Sequence, residues 1–151
     1  MANFTQLNHG WNADPNAPEP SVSVDGGDLR LSFFLNAFQF PEFVEGSRAS
    51  IRFKNCKRYR LGATNDEGWY MGQCRFSRLA PSWGEFYEIT GDPKLLMSPT
   101  DWVTVTDAGT ETTEHYLFYL KDETFECLAD SWEVELPANN SSKSTPPCGS
   151  A

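Results

Sequence analysis

The feature that most constrains this chain is two-residue alternation. "SVSVDGGDLRLSFFL", from Ser21 to Leu35, shows it most clearly. Val22 and Val24 alternate with serines, two glycines supply turn chemistry, and Leu29, Leu31, Phe33 and Leu35 then fall on one side. Period two belongs to a pleated strand with one buried face, and a Gly-Gly pair between two such runs belongs to a tight hairpin. The pattern recurs in "SIRFKNCKRYRL", "WYMGQCRFSRL", "WGEFYEI", "DWVTVTD" and "HYLFYLKDETFECLADSWEVEL". The first half of that last run is apolar on both faces, as a central strand is. "KDET" then turns the chain, and Trp132, Val134 and Leu136 alternate with Glu133 and Glu135.

Helical signals are few. "DPKLLM" at 92–97 has a capping Asp92 and a proline at the first helical position, but Pro99 ends it within about one turn. Pro41 argues against a helix between Phe34 and Glu45. Aromatic residues make up 14% of the chain, five of them tryptophan, which also favours strands. The expected fold is all-β with a minor helix: one antiparallel β-sandwich or partly closed barrel of about seven or eight strands.

At 151 residues the chain suits one domain able to bury a core without covalent staples. Residues 1–20 read as an irregular N-terminal arm. It should pack on the domain, because Phe4, Leu7 and Trp11 are costly to leave in water. Residues 21–136 form the β domain. Residues 137–151, "PANNSSKSTPPCGSA", read as a disordered tail.

The net charge of −9 argues against nucleic acid and anionic membranes as partners. "MANFTQLNHGWNADPNAPEP" shows neither a cationic start nor an apolar run, and no stretch approaches the roughly 20 apolar residues of a membrane span. The expected location is the cytoplasm. There Cys56, Cys74, Cys127 and Cys148, with no C-x-x-C pair, are free thiols. The glycosylation patterns at Asn3, Asn139 and Asn140 carry no weight without secretion.

Charge is unevenly spread. Residues 1–47 carry a net −5, residues 48–78 a net +6, and residues 79–151 a net −10. If Ile51, Phe53, Tyr59 and Leu61 point inward, then Arg52, Lys54, Cys56, Arg58 and Arg60 form one outward row. Such a row is either an anion site, with Arg52, Arg58 and Arg60 as ligands, or a surface neutralised by a neighbour such as Glu133 and Glu135.

A second candidate is "TNDEGWYMGQC". Its "NDEG" is turn chemistry, and Asp66, Glu67 and Trp69 form a binding loop if the tryptophan is accessible. Trp83 and Tyr87 share a strand face and, with Trp69, would make a shallow aromatic platform for a sugar or a protein.

Catalytic signals are weaker, and no residue is assigned a catalytic role. Asp66, Glu67, Glu85 and Glu88 are carboxylates of the kind a glycosidase uses, but any acidic surface supplies such groups. Cys127 lies across the "KDET" hairpin from the strand bearing His115, yet it shares a face with Phe125 and reads as a small buried hydrophobe. His9 and His115 are the two histidines and lack metal-ligand spacing. Neither a metal nor an organic cofactor is implied, since G-x-G-x-x-G, P-loop and G-x-S-x-G patterns are absent. The expected function is a small acidic binding module without catalysis. It would contact a protein partner or an anionic small ligand, as a bacterial antitoxin or immunity-type protein does. The alternative is a small-ligand hydrolase or carbohydrate-binding protein using carboxylates beside the aromatic cluster.

Overall fold

The Gly26-Gly27 pair turns the first hairpin as its composition requires. In the computed structural model, which describes residues 3–62, 84–91, 102–106, 114–121 and 123–137, β2 (Ser21–Asp25) pairs antiparallel with β3 (Asp28–Phe34). Gly26 has φ +69°, and Gly27 lies outside the left-handed region. Positive φ at the first central position alone is the pattern of a type II′ turn. Beside β3 lies β4 (Arg48–Lys54), and beside β4 lies β10 (Ser131–Glu135). Leu29, Leu31 and Phe33 of β3 and Ile51 and Phe53 of β4 are wholly buried. Each is worth roughly 1.5–3 kcal/mol of apolar burial. Trp132 and Val134 of β10 pack on the same core.

A second antiparallel sheet faces the first. It runs in the order β1 (Asn3–Gln6), β6 (Phe86–Thr90), β8 (Glu114–Tyr119), β9 (Thr124–Ala129), β5 (Arg58–Gly62), β7 (Val103–Thr104). Its inner face contributes Phe86, Tyr116, Phe118, Phe125 and Cys127 to the core. The core is aromatic and packs edge to face. Phe33 meets Phe118 with centroids 5.5 Å apart, and Phe86 meets Trp132 at 5.2 Å. The fold is thus all-β, two open antiparallel sheets consistent with a sandwich and not a closed barrel. The described residues contain ten strands rather than seven or eight: short β1 is new, and the single strand expected through "SIRFKNCKRYRL" is divided into β4 and β5, whereas β7 lies within the expected "DWVTVTD". β8 and β9 are buried on both faces except at Glu114, which the apolar first half of that run had indicated for β8.

The expectation of one continuous strand through "SIRFKNCKRYRL" is overturned. The chain leaves the four-stranded sheet after Lys54 and enters the six-stranded sheet at Arg58. Asn55, with φ +52°, makes the bend, and its backbone N–H donates to Asp28 Oδ1 at 3.1 Å. Asn is among the residues that tolerate this conformation. β9 and β10 bend alongside it, at Asp130. The two corners are tied by Asp130 N–H to Lys54 O (2.9 Å), Lys57 N–H to Leu128 O (2.8 Å) and Asn55 Nδ2 to Asp130 Oδ2 (2.9 Å). A pair of strands therefore switches sheets together, which is how sandwich corners are made. Cys56 falls inside this corner and is wholly buried, not part of an outward row.

The arm packs as its apolar residues require, but part of it is regular. Asn3–Gln6 pairs with β6, and Ala13 bridges Leu35. Trp11 is buried against Phe33, Phe86 and Phe118. Between β3 and β4 the chain forms successive turns, with no helix. The helix expected at 92–97 and most of the 137–151 tail lie outside the described residues. Among the described residues no helix is long and apolar enough to cross a membrane.

Candidate functional site

The corner at Asn55 sends the arginines to opposite sides of the sandwich. Arg52 lies on the outer face of the four-stranded sheet, where it stands in register with Arg30 on one side and Glu133 on the other. Two arginines in direct register repel, and the carboxylates around them offset this. Asp28 Oδ2 accepts from Arg52 Nε at 3.0 Å and Nη2 at 2.7 Å. Arg30 forms a two-pronged pair with Glu135, at 3.0 and 3.2 Å, and Lys54 sits 3.6 Å from Glu133. The Asn55 N–H and then the Arg52 guanidinium hold the Asp28 carboxyl below its ordinary value. The Ser50 hydroxyl and then Arg30 do the same for Glu135. On this half of the expected row Glu133 pairs with Lys54, but Arg52 is paired by Asp28, and Glu135 is taken by Arg30, which lies outside the row.

Arg58 and Arg60 lie on the far face of the six-stranded sheet, away from the core. Arg60 Nη1 donates to Glu126 Oε2 at 2.8 Å, and His115 Nε2 lies 2.7 Å from Glu126 Oε1. Glu126 is wholly buried and His115 nearly so. The Trp102 ring covers both partners, its centroid 6.2 Å from the His115 ring and 5.9 Å from the Arg60 guanidinium carbon. A buried carboxylate needs such partners, so the cluster satisfies itself. Neither Glu126 nor this pairing was anticipated from the sequence. A glutamate inside an otherwise apolar strand, "TFECLA", was the available signal. Cys127 is in register with Tyr116 and faces the core, whereas His115 faces outward. The thiol and imidazole therefore do not meet, and burial pushes the Cys127 thiol well up from its ordinary value.

Asp66, Glu67, Trp69 and Trp83 lie outside the described residues. Tyr87 is described and is buried, its ring edge-on to Phe4 at 5.9 Å and to Tyr119 at 6.4 Å. It is packing, not an open shelf.

Two other features are open to a ligand or partner. The first is the connection from Asn36 to Ser47. Asn36 Oδ1 accepts from Gln39 N–H at 3.0 Å, and Asn36 O accepts from Phe40 N–H at 3.1 Å. Phe43 N–H reaches Phe40 O at 3.1 Å, and both the N–H and hydroxyl of Ser47 reach Val44 O. Phe43 is buried in the core and Phe40 packs against it. Two residues before the first of these anchors, Phe38 is 98% exposed. With Phe38, Asp14 and Glu45 line a hollow of about 200 Å³, and Glu42 and Val44 are exposed further along the same connection.

The second is a cleft of about 370 Å³ between the arm, this loop and the ends of β6 and β8. Asn12, Asp14, Asn36, Gln39, Glu85 and Lys121 are among its lining residues. Glu85 Oε1 is fixed by three amides: Asn8 Nδ2 at 2.8 Å, Gln6 Nε2 at 3.2 Å and Asn12 Nδ2 at 3.4 Å. Asn12 Nδ2 also donates to Gly84 O at 2.8 Å, which locks the arm to the sheet end. Among the described residues no group of three or more His, Cys, Asp or Glu gathers as a metal site.

No protein-family model, curated protein or solved structure matches this chain, so its function has to be argued from this geometry.

Proposed function

We propose that this chain is a small acidic binding module that acts by associating with a protein partner and catalyses nothing itself. The observation that carries the reading is Phe38, 98% exposed on a connection whose neighbours Phe40 and Phe43 are anchored in the core. A phenylalanine left in water forgoes roughly 1.5–3 kcal/mol of burial, and association recovers it. Because the connection is already hydrogen-bonded, little ordering remains for the complex to offset. Isolated aromatic anchors of this kind carry much of the energy at protein interfaces.

The flanking charge defines the partner. Asp14 and Glu45 line the hollow beside Phe38, and Glu42 is exposed further along the same connection, on a protein of net charge −9, so the complementary surface is basic with an apolar hollow at its centre. An antitoxin or immunity-type role fits that description. The anionic-ligand version has less support, because Arg52 and Arg60 are committed to Asp28 and Glu126. The hydrolase version also has less, because Glu126 is buried in its own cluster and Glu85 is held by three amides.

Selection of randomised display peptides against the whole chain, counter-selected on Phe38→Ser, tests the reading. The expected winners combine Lys or Arg with aliphatic residues and lose binding to E42Q/E45Q. Winners that bind Phe38→Ser equally well would contradict it.

A further inference from the structure

We propose that the cleft beside the N-terminal arm is a binding site for a neutral carbohydrate. It shares Asp14 with the Phe38 surface and otherwise stands on different groups. The cleft has the volume of a small-ligand pocket, about 370 Å³. Its frame is rigid: Asn12 and Asn8 tie the arm to Gly84 and Glu85, and Asn36 N–H donates to Asn12 O at 2.9 Å.

The chemistry comes from what that frame leaves unused. Glu85 Oε1 takes all three amide donors, so Oε2 remains as an acceptor among the described residues. Asp14 Oδ1 is used on the Asn16 and Ala17 N–H groups, and Oδ2 remains. Gln39 Nε2, Asn16 Nδ2 and Lys121 Nζ remain as donors. A sugar hydroxyl donates one hydrogen bond and accepts others, so vicinal hydroxyls satisfy alternating carboxylate and amide groups. An anion would meet two carboxylates, and a simple cation would meet Lys121. A wholly apolar ligand would strip water from the amides without replacing it. Pro15, exposed and also in the lining, offers an apolar surface for the C–H face of a sugar ring.

The test is nitrogen-15 NMR titration of the whole chain with a panel of neutral hexoses and their short oligosaccharides. Inorganic phosphate and arginine amide serve as comparison ligands. Saturable shifts are expected at Gly84, Asn36 and Lys121. Gln39→Ala and Glu85→Gln, checked as folded by their spectra, should each weaken binding about tenfold, the scale of one or two lost hydrogen bonds. Phe38→Ser should bind sugar as the parent does, which separates this site from the protein surface. The proposal is overturned if no sugar moves those signals at about 0.1 M, a concentration far above ordinary ligand affinities. It is equally overturned if phosphate or arginine amide binds more tightly, or if both cleft variants bind sugar unchanged.

Discussion

Arg60 Nη1 stands 2.8 Å from Glu126 Oε2, on a carboxylate that has no contact with solvent. His115 occupies the other oxygen. Removing the negative charge leaves Arg60 facing a neutral amide within a partly buried cluster. Glu126→Gln should destabilise the fold by about 3 kcal/mol, the low end for breaking a buried pair, because Arg60 keeps some access to water. Urea unfolding checks this. A loss under about 1 kcal/mol, the range of exposed pairs, would show that the cluster is solvated.

The outer face of the four-stranded sheet sets an acid limb. Asp28 is depressed first by the Asn55 N–H and then by Arg52. A carboxyl depressed in the folded state contributes stability above its unfolded value and loses it as pH falls through the folded value. Asp28→Asn should therefore lower stability at neutral pH and flatten its decline below about pH 4. Glu135→Gln should act in the same direction, since Glu135 is also depressed. Thermal melts across the acid range measure both.

Glu88 has the opposite sign. Burial, then the neighbouring Glu114 carboxyl, raise it above its ordinary value. The folded state then binds the extra proton, and that stabilisation is complete below the unfolded value and fades as pH rises through the folded one. Glu114→Gln should raise the melting temperature at pH 7 and leave it nearly unchanged near pH 4. A melting temperature lowered at pH 7 would contradict the carboxyl pair.

Phe38 and Phe43, five positions apart, should separate in their effects on stability. Phe43→Ala opens a core cavity and should cost about 3–5 kcal/mol. Phe38→Ser touches an exposed ring and should stay within about 0.5 kcal/mol of the parent. Denaturant midpoints decide this. Equal losses would mean that Phe38 is a core residue.

The first hairpin was legible because its alternation and its Gly-Gly turn point the same way. So was the double burial of β8, because an apolar run with no polar face has nowhere else to go. The corner was not legible. One Asn in a left-handed conformation redirects a strand without disturbing the two-residue pattern, so Arg52 and Arg60 look like neighbours in a row while lying on opposite faces. Neutralisation of Lys54 by Glu133 was anticipated. Neutralisation by Asp28 and Glu126 was not, because it depends on strand register. The open surface was hidden in "NAFQFPEF". Its phenylalanines read as uniform apolar content, and only the turn hydrogen bonds of Asn36 decide which of them faces water. The cleft draws on four separate segments of the chain, so no local pattern announces it.

The association claim is tested most directly by placing the photo-crosslinker benzoylphenylalanine at position 38 in cells that produce the protein, with position 24 as an exposed control on β2. One discrete adduct with a basic protein is expected from position 38, none from position 24, and loss of the adduct in E42Q/E45Q. Equal labelling from both positions, or none from position 38, would contradict that claim.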